Sequence, residues 1–195
     1  MLNLSDKFKG KIMGQEKRDF DFTVQLFNNF FSQKRIQKRL NVIEDEEITG
    51  WEIWWQVEFA TYLSTKDETL SEWYREWEYP LDKRRNKKST EMFIDFLIRQ
   101  KRAKKNSYIA LELKQHIYAK SCIRKMLEDV EKVFSMRESA SDIRSFWNIG
   151  IYREKMDGGD ESVAKMILED SRISTDSDFI RTEKISNTGF YYTIF

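Results

Sequence analysis

Two neighbouring apolar runs near the middle of the chain constrain its fold more than any other feature. Both are rich in residues that suit a pleated sheet, and a cation-rich turn separates them; the runs are 92–98 and 108–115. Side chains alternate between the faces of a strand, so Glu112 and Lys114 are predicted to project from the same side. In one hairpin register Asp95 lies across from Glu112. Two such carboxylates repel each other unless they share a proton or a cation.

Length and composition set the class of protein. A chain of 195 residues with 40% apolar and 34% charged residues is typical of one soluble globular domain. No run is apolar enough to cross a bilayer, and residues 1–6 lack the pattern of a signal peptide. The single cysteine, Cys122, excludes an internal disulfide and a cysteine-built metal site. We therefore expect a cytoplasmic protein without membrane contact.

The net charge of +1 argues against a wholly basic protein that coats nucleic acid, but the charge is uneven. Two basic clusters flank the strand that carries Asp95. They comprise Lys83, Arg84, Arg85, Lys87 and Lys88 before it, and Arg99, Lys101, Arg102, Lys104 and Lys105 after it. Such runs are most often solvated loops. Their placement on both sides of Asp95 favours a shared role at one site.

The first half of the chain is predicted to be mainly helical. Residues 1–19 are expected to be loosely held, and helical spacing of apolar residues predicts one helix from Phe20 to near Asn41, with an aromatic face available for dimerisation. Thr49, three residues before Glu52, predicts a capping box that opens a helix carrying Glu58. Residues 70–77 are predicted to form a short helix or an irregular arm that ends at Pro80.

The second half predicts a crossover and a mixed sheet. A helix over 118–136 joins the strand at 108–115 to a strand at 146–152, which implies that these strands are parallel. A short helix at 161–168 and strands at 179–185 and 190–195 follow. The expected class is α/β, a mixed central sheet flanked by helices. We expect a single domain with a helical extension (1–48), a core (about 49–153) and a C-terminal appendage (154–195).

This arrangement resembles the core of the PD-(D/E)xK nuclease superfamily, the restriction endonuclease-like fold. The residues that carry the resemblance are Asp95 on one strand and Glu112-Leu113-Lys114 on the next, followed by a helix and a strand. Glu112-Leu113-Lys114 is the chain's only acid-x-lysine tripeptide. Glu58 on the preceding helix and Gln115 after the lysine also match, whereas Ile94 stands where the family pattern has proline. The resemblance covers roughly 49–153 and implies an αβββαβ core.

The resemblance implies a magnesium-dependent DNA endonuclease of the restriction or mobile-element type. Mg²⁺, or Mn²⁺ in its place, would be bound by Asp95, Glu112 and the backbone carbonyl of Leu113. Lys114 would sit beside the attacking water, and Glu58 would hold a second ion. Phosphate contacts would come from the two basic clusters, with Gln115 touching the nucleic acid. A homodimer would supply two active sites for a double-strand cut.

Two other interpretations stay open. The first is a catalytically inactive module on the same scaffold that binds nucleic acid or a protein partner. The second is a helical interaction protein in which Glu112 and Lys114 pair on a surface and 92–115 is not a hairpin. The only histidine, His116, is interpreted as a residue at a strand end, and no phosphate loop, zinc pattern or nucleotide fingerprint is present.

Overall fold

The computed structural model describes residues 4–66, 68–80, 91–137, 142–173 and 175–195. Over these ranges it contains five α-helices, six strands and one short 3₁₀ turn at Ser177–Phe179. The helices are α1 (Leu4–Phe31), α2 (Lys34–Asp45), α3 (Glu52–Leu63), α4 (Ala119–Arg137) and α5 (Gly159–Leu168). The strands are β1 (Leu70–Pro80), β2 (Glu91–Gln100), β3 (Tyr108–Gln115), β4 (Ile143–Tyr152), β5 (Arg181–Lys184) and β6 (Tyr191–Ile194).

The strands form one mixed sheet in the order β1-β2-β3-β4-β6-β5. β1, β2 and β3 are antiparallel neighbours, whereas β3 and β4 run parallel and are joined through α4, as the crossover predicted. The β5–β6 hairpin pairs with β4 and completes the sheet. A mixed α/β architecture is therefore confirmed. The helical-surface interpretation of 92–115 is wrong, because β2 and β3 pair and Glu112 is only 4% exposed.

Three local predictions are wrong. The single helix over 20–40 is two helices that break at Ser32–Gln33, and α1 already begins at Leu4. The predicted capping box at Thr49 does not form. Helix α3 begins at Glu52, its N-cap residue is Trp51, and Trp51 makes no side-chain capping bond. Gly50, just before it, has a φ of +68°. Residues 70–80 are the edge strand β1, because their closely spaced aromatic residues favour a pleated surface over a helix.

Helices cover both faces of the sheet. Aromatic side chains dominate the face under α1, α2 and α3, where Phe27 stacks on Phe59 with ring centroids 4.5 Å apart. On the opposite face α4 packs on β4 and α5 packs on α4, and together they bury Cys122, Ile123 and Val163. Phe20, Phe27, Phe30 and Phe31 of α1 are buried in the chain's own core, so these four side chains are not available for dimerisation. The homodimer itself stays a prediction. No helix in the described part of the chain has the length and apolarity that a membrane span requires.

A buried acid fastens α1 to the sheet. Asp19 is fully buried, and its carboxylate accepts hydrogen bonds from Nε and Nη2 of Arg144 at 2.9 Å each and from Ser145 Oγ at 3.0 Å. Gln15 Nε2 donates a further bond at 2.9 Å. Burying these charges costs solvation free energy, so the network tolerates the loss of neither partner.

We expect Asp19→Ala to lower the free energy of unfolding by about 3–5 kcal/mol, because it leaves the Arg144 guanidinium buried without its main counter-charge. Urea unfolding monitored by circular dichroism measures the change. Lys17→Ala is the matched control on the same helix, since the Lys17–Asp21 ion pair is exposed and is worth less than about 1 kcal/mol. Equal losses in the two variants would contradict a structural role for the buried network.

Candidate active site

The centre of the site is the place where β2 and β3 part. Their ladder is formed from Ile98 opposite Ile109 to Phe96 opposite Leu111, and the same register continued places Asp95 opposite Glu112. At that position side chains replace ladder bonds. Leu113 N donates to Asp95 Oδ2 at 2.7 Å, and Asp95 N donates to Glu112 Oε1 at 3.4 Å. The two predicted carboxylates are thus held together between the strands.

Lys114 lies on the same side of β3 as Glu112. Its Nζ is 3.6 Å from Glu112 Oε2 and 2.8 Å from Asp129 Oδ2. Asp129 is a buried residue of α4 that the sequence reasoning missed. A signal was present, because Asp129 sits at helical spacing within the apolar stripe of α4, between Met126 and Val133. The structure therefore brings together Asp95, Glu112, Lys114 and Asp129, called the acid cluster below.

Helix α3 contributes two side chains one turn apart. Gln56 is buried, and its Nε2 donates to Asp95 Oδ1 at 3.0 Å while its Oε1 accepts from Arg75 Nη2 at 3.2 Å. Glu52 Oε2 accepts from the backbone N–H of Gln115 at 3.2 Å. Neither residue was assigned to the site from the sequence. Their i, i+4 spacing places both on the face of α3 that meets β3.

Glu58 is not brought to the acid cluster. Its carboxylate is paired with Arg35 Nη1 and lies 3.5 Å from Arg39 Nε, both on α2. Two residues along a helix turn a side chain by about 200°, so Glu58 and Gln56 point to opposite sides of α3. Glu58 is therefore directed away from the acid cluster, whereas Glu52 is the acid of α3 that contacts β3.

The cluster holds more negative than positive charge. Burial and the adjacent Asp95 carboxylate raise the pKa of Glu112 well above its usual value, although Lys114 opposes this. Burial also raises the pKa of Asp95, against the Leu113 N–H bond and Lys114, and raises the pKa of Glu52. Burial alone would lower the pKa of Lys114, but the Glu112 and Asp129 carboxylates outweigh it and raise that pKa. Such a cluster favours the binding of an additional cation.

The predicted nucleic-acid contacts fall in different places. Lys101, Arg102, Lys104 and Lys105 are exposed on the β2–β3 turn, at the end of the hairpin opposite to the acids. Lys105 precedes Glu112 by seven residues, which corresponds to roughly 20 Å along a strand. Residues 83–88, with Lys83, Arg84, Arg85, Lys87 and Lys88, lie outside the described residues. Gln115 is half-buried on the α3 side of β3.

Exposed cations from α4 lie closer to the site than the β2–β3 turn. Lys125 interacts electrostatically with both Glu52 and His116, and Arg124 with His116. Both cations are solvent-exposed. They therefore give the open side of the site a positive edge that the sequence reasoning placed elsewhere.

The oxygen donors at the acid cluster are two carboxylates and a backbone carbonyl. Within the described ranges, no group of three or more Asp, Glu, His or Cys side chains is placed so that it could hold a metal ion by itself. Asp95 and Glu112 supply two carboxylates, and the Leu113 carbonyl belongs to the residue whose N–H is fixed by Asp95. Magnesium binds through one or two carboxylates and retains water, so this oxygen set suits it.

Comparison of the chain with protein-family models, curated proteins and solved structures gave no match. Functional conclusions about the site therefore rest on its own geometry and charge.

We expect Glu112→Gln to raise the free energy of unfolding of the metal-free protein at pH 7–8, because the wild-type carboxylate is destabilised there by burial and by Asp95. A carboxyl whose pKa is raised on folding binds more protons in the folded state, so the stability of the wild type falls as pH rises from about 4.5 through the raised pKa. Glutamine removes that loss. Chemical unfolding in EDTA at a series of pH values measures both effects.

Glu58→Gln is the matched control for this substitution. It removes a carboxylate that is paired with two arginines, so it should lower stability or leave it unchanged. A Glu112→Gln variant that is less stable than wild type at pH 8 in EDTA would contradict the surplus of negative charge.

Proposed function

We propose that the chain is a metal-dependent nuclease that hydrolyses phosphodiester bonds in DNA, on a core related to the PD-(D/E)xK superfamily. The observation that supports it most is the convergence of Asp95, Glu112 and Lys114 where two adjoining strands part. The order α3-β1-β2-β3-α4-β4 agrees with the αβββαβ order that the resemblance implies. A restriction-type or mobile-element enzyme is the biological setting we propose.

Asp95, Glu112 and the Leu113 carbonyl would hold Mg²⁺, with Mn²⁺ as a substitute. When bound, the metal ion would polarise the phosphate and acidify a water molecule. Gln56 and the Leu113 N–H hold the Asp95 carboxylate in one orientation from two sides. Metal-ligating carboxylates are usually fixed by such outer hydrogen bonds, so Gln56 is a positioning residue.

Lys114 is proposed to stabilise the negative charge that develops on the scissile phosphate and to orient the attacking water. Asp129 fixes its ammonium group from α4 at 2.8 Å. A cation held at a defined point before reaction stabilises developing charge without reorganising. Glu52 takes the role that the resemblance assigned to Glu58. Its carboxylate would either accept a hydrogen bond from a water molecule on the metal ion or bind a second ion.

The charge distribution supports a DNA backbone that runs along the hairpin. Lys125 and Arg124 lie beside the site, and the basic turn at 101–105 lies roughly 20 Å away. That spacing corresponds to about six nucleotide steps of a duplex. Both groups therefore fit contacts with one DNA segment at separate points, and residues 83–88 remain candidates from the sequence.

We expect purified protein to nick or cut DNA with Mg²⁺, and we expect Asp95→Asn and Lys114→Ala each to lower the cleavage rate by roughly 10²-fold or more. Glu52→Gln should lower the rate less, because its carboxylate is not proposed to bind the metal ion that Asp95 and Glu112 hold. Plasmid nicking under single-turnover conditions measures all three. Circular dichroism checks that each variant is folded.

Glu58→Gln is the matched control for these cleavage assays. It changes a buried glutamate of α3 that faces α2 and not the acid cluster, so cleavage should persist at the wild-type rate in the folded protein. Undiminished cutting by Asp95→Asn and Lys114→Ala, or equal loss in Glu58→Gln, would reject the assigned site.

One observation favours the inactive binding module as a second candidate. Both oxygens of Asp95 already accept hydrogen bonds, and Lys114 is paired with two acids, so the cluster is self-consistent without added ligands. In that case the cluster would only hold β2, β3 and α4 together and would have no catalytic role. The two candidates differ in whether a divalent cation binds at the cluster.

A nuclease site should make thermal stability depend on the divalent cation. We expect Mn²⁺ at millimolar concentration to raise the melting temperature of wild type but not of Asp95→Asn, since a ligand that binds only the folded state stabilises it by mass action. Differential scanning fluorimetry with and without EDTA measures the shift. Salt-sensitive DNA binding with no Mn²⁺ shift and no cleavage would instead identify the binding module.

A further inference from the structure

A cleft of about 260 Å³ opens past the end of β3, next to the residues that adjoin Glu52 and Gln115. Its walls come from the α2–α3 connection, the β3–α4 connection and the chain after β4. Trp51 and Phe190 form a buried apolar floor, with ring centroids 5.7 Å apart. Tyr118, which is 52% exposed, lies at the rim, and His116 and Arg153 supply polar groups. The cleft thus combines aromatic surface with a few directed polar groups, as small-molecule sites do.

The cleft adjoins Glu52 and Gln115, which lie next to the acid cluster on α3 and β3. Trp51 lines the cleft and directly precedes Glu52, while His116 lines it and directly follows Gln115. Glu52 and Gln115 are themselves joined by a hydrogen bond of 3.2 Å. The cleft therefore begins one residue from Glu52 and Gln115, and His116 lies two residues beyond Lys114, roughly 7 Å along the strand. A nucleic-acid strand with its phosphodiester at the cluster would present the adjoining nucleotide to the cleft.

The rim suits a flat, uncharged ring. The Tyr118 N–H donates to His116 Nδ1 at 3.0 Å, and the two rings lie 5.9 Å apart. Burial and the nearby Lys125 lower the pKa of His116, which keeps the imidazole neutral, with its proton on Nε2. A neutral donor beside an exposed aromatic ring matches a nucleobase, which stacks through its face and bonds through its edge. The volume is below the roughly 300–1,000 Å³ of sites for drug-sized ligands.

The walls of the cleft are fixed before any ligand arrives. Glu44 on α2 accepts a hydrogen bond from Gly189 N at 3.1 Å and lies 3.9 Å from Arg153 Nε. Asn41 Nδ2 donates to the Asn187 carbonyl at 3.0 Å. A side chain at residue 189 would collide with the Glu44 carboxylate, so glycine permits this close approach. Such preorganisation lowers the entropy cost of binding.

We propose that this cleft binds one unstacked nucleobase of the DNA strand whose phosphodiester lies at the acid cluster. The inference rests on the proposed function, because the cluster places the strand. It makes single-stranded DNA, or a duplex with a base turned out of the stack, the substrate class. Tyr118 is the residue that stacks on the base, and His116 and Arg153 contact its edge.

The test uses the full chain in Ca²⁺ with a single-stranded oligonucleotide that carries one 2-aminopurine, moved position by position along the strand. Wild type should quench the fluorescence at one position. Tyr118→Ala should weaken binding of that strand about 5- to 100-fold, the loss expected when one base–aromatic stack is removed. Tyr118→Phe should bind like wild type. Leu168→Ala, which removes an exposed apolar side chain of α5, is the control.

A strand with an abasic site at the quenched position distinguishes loss of base stacking from a general loss of DNA binding by the Tyr118→Ala variant. If the base occupies the cleft, wild type and Tyr118→Ala should bind the abasic strand equally. Equal binding of the intact strand by wild type and Tyr118→Ala, an equal loss on both strands, or no binding of either strand by wild type would each overturn the proposal.

Cleavage by wild type and Asp95→Asn with Mg²⁺ is measured in parallel. Loss of cleavage in Asp95→Asn without any effect of Tyr118→Ala would leave the nuclease proposal standing and remove the base cleft. A Tyr118-dependent, base-dependent affinity without cleavage would support the cleft and remove the hydrolytic function.

Discussion

The hydrogen bond from the Leu113 N–H to the Asp95 carboxylate is the interaction on which the site depends. At 2.7 Å it satisfies a backbone donor at the position where β2 and β3 stop pairing. The Asp95 carboxylate thereby takes the place of a backbone carbonyl of β2 as the acceptor for this amide. The two strands can separate here without leaving the Leu113 N–H unbonded. The separation is what admits two carboxylates between them. Site geometry and sheet geometry are therefore set by the same bond.

The pair of buried carboxylates lowers the stability of the folded state, and packing elsewhere in the fold offsets this loss. Two buried acids that repel each other lower stability, and the Lys114 ammonium compensates only part of the repulsion. The aromatic layer of α1 and α3 packs on the other face of the same strands and buries Phe27, Phe30 and Phe59 completely. Locally unfavourable electrostatics next to a large core are typical of functional sites, where stability is sacrificed for a poised cluster.

The sequence determined the site better than it determined the surrounding elements. Asp95, Glu112 and Lys114 were predictable because strand periodicity and hairpin register are short-range rules. Glu52, Gln56 and Asp129 were missed, because which face of α3 and α4 meets the sheet depends on tertiary packing. Glu58 was misassigned for the same reason: its burial is real, but its partners are arginines of α2. Strand β1 was missed because its aromatic residues do not alternate regularly with polar ones.

Lys114 and its two acids show how one element can serve both the folded state and the proposed chemistry. Its distance of 2.8 Å to Asp129 is shorter than its 3.6 Å to Glu112, so α4 and not β3 provides its firmer anchor. If Glu112 bound a divalent cation as proposed, its attraction for the ammonium would weaken, whereas Asp129 is not among the proposed ligands and would keep its contact. The lysine would then stay in place while its second partner changes. A cation held by a residue outside the metal ligands is what electrostatic stabilisation of a phosphate requires.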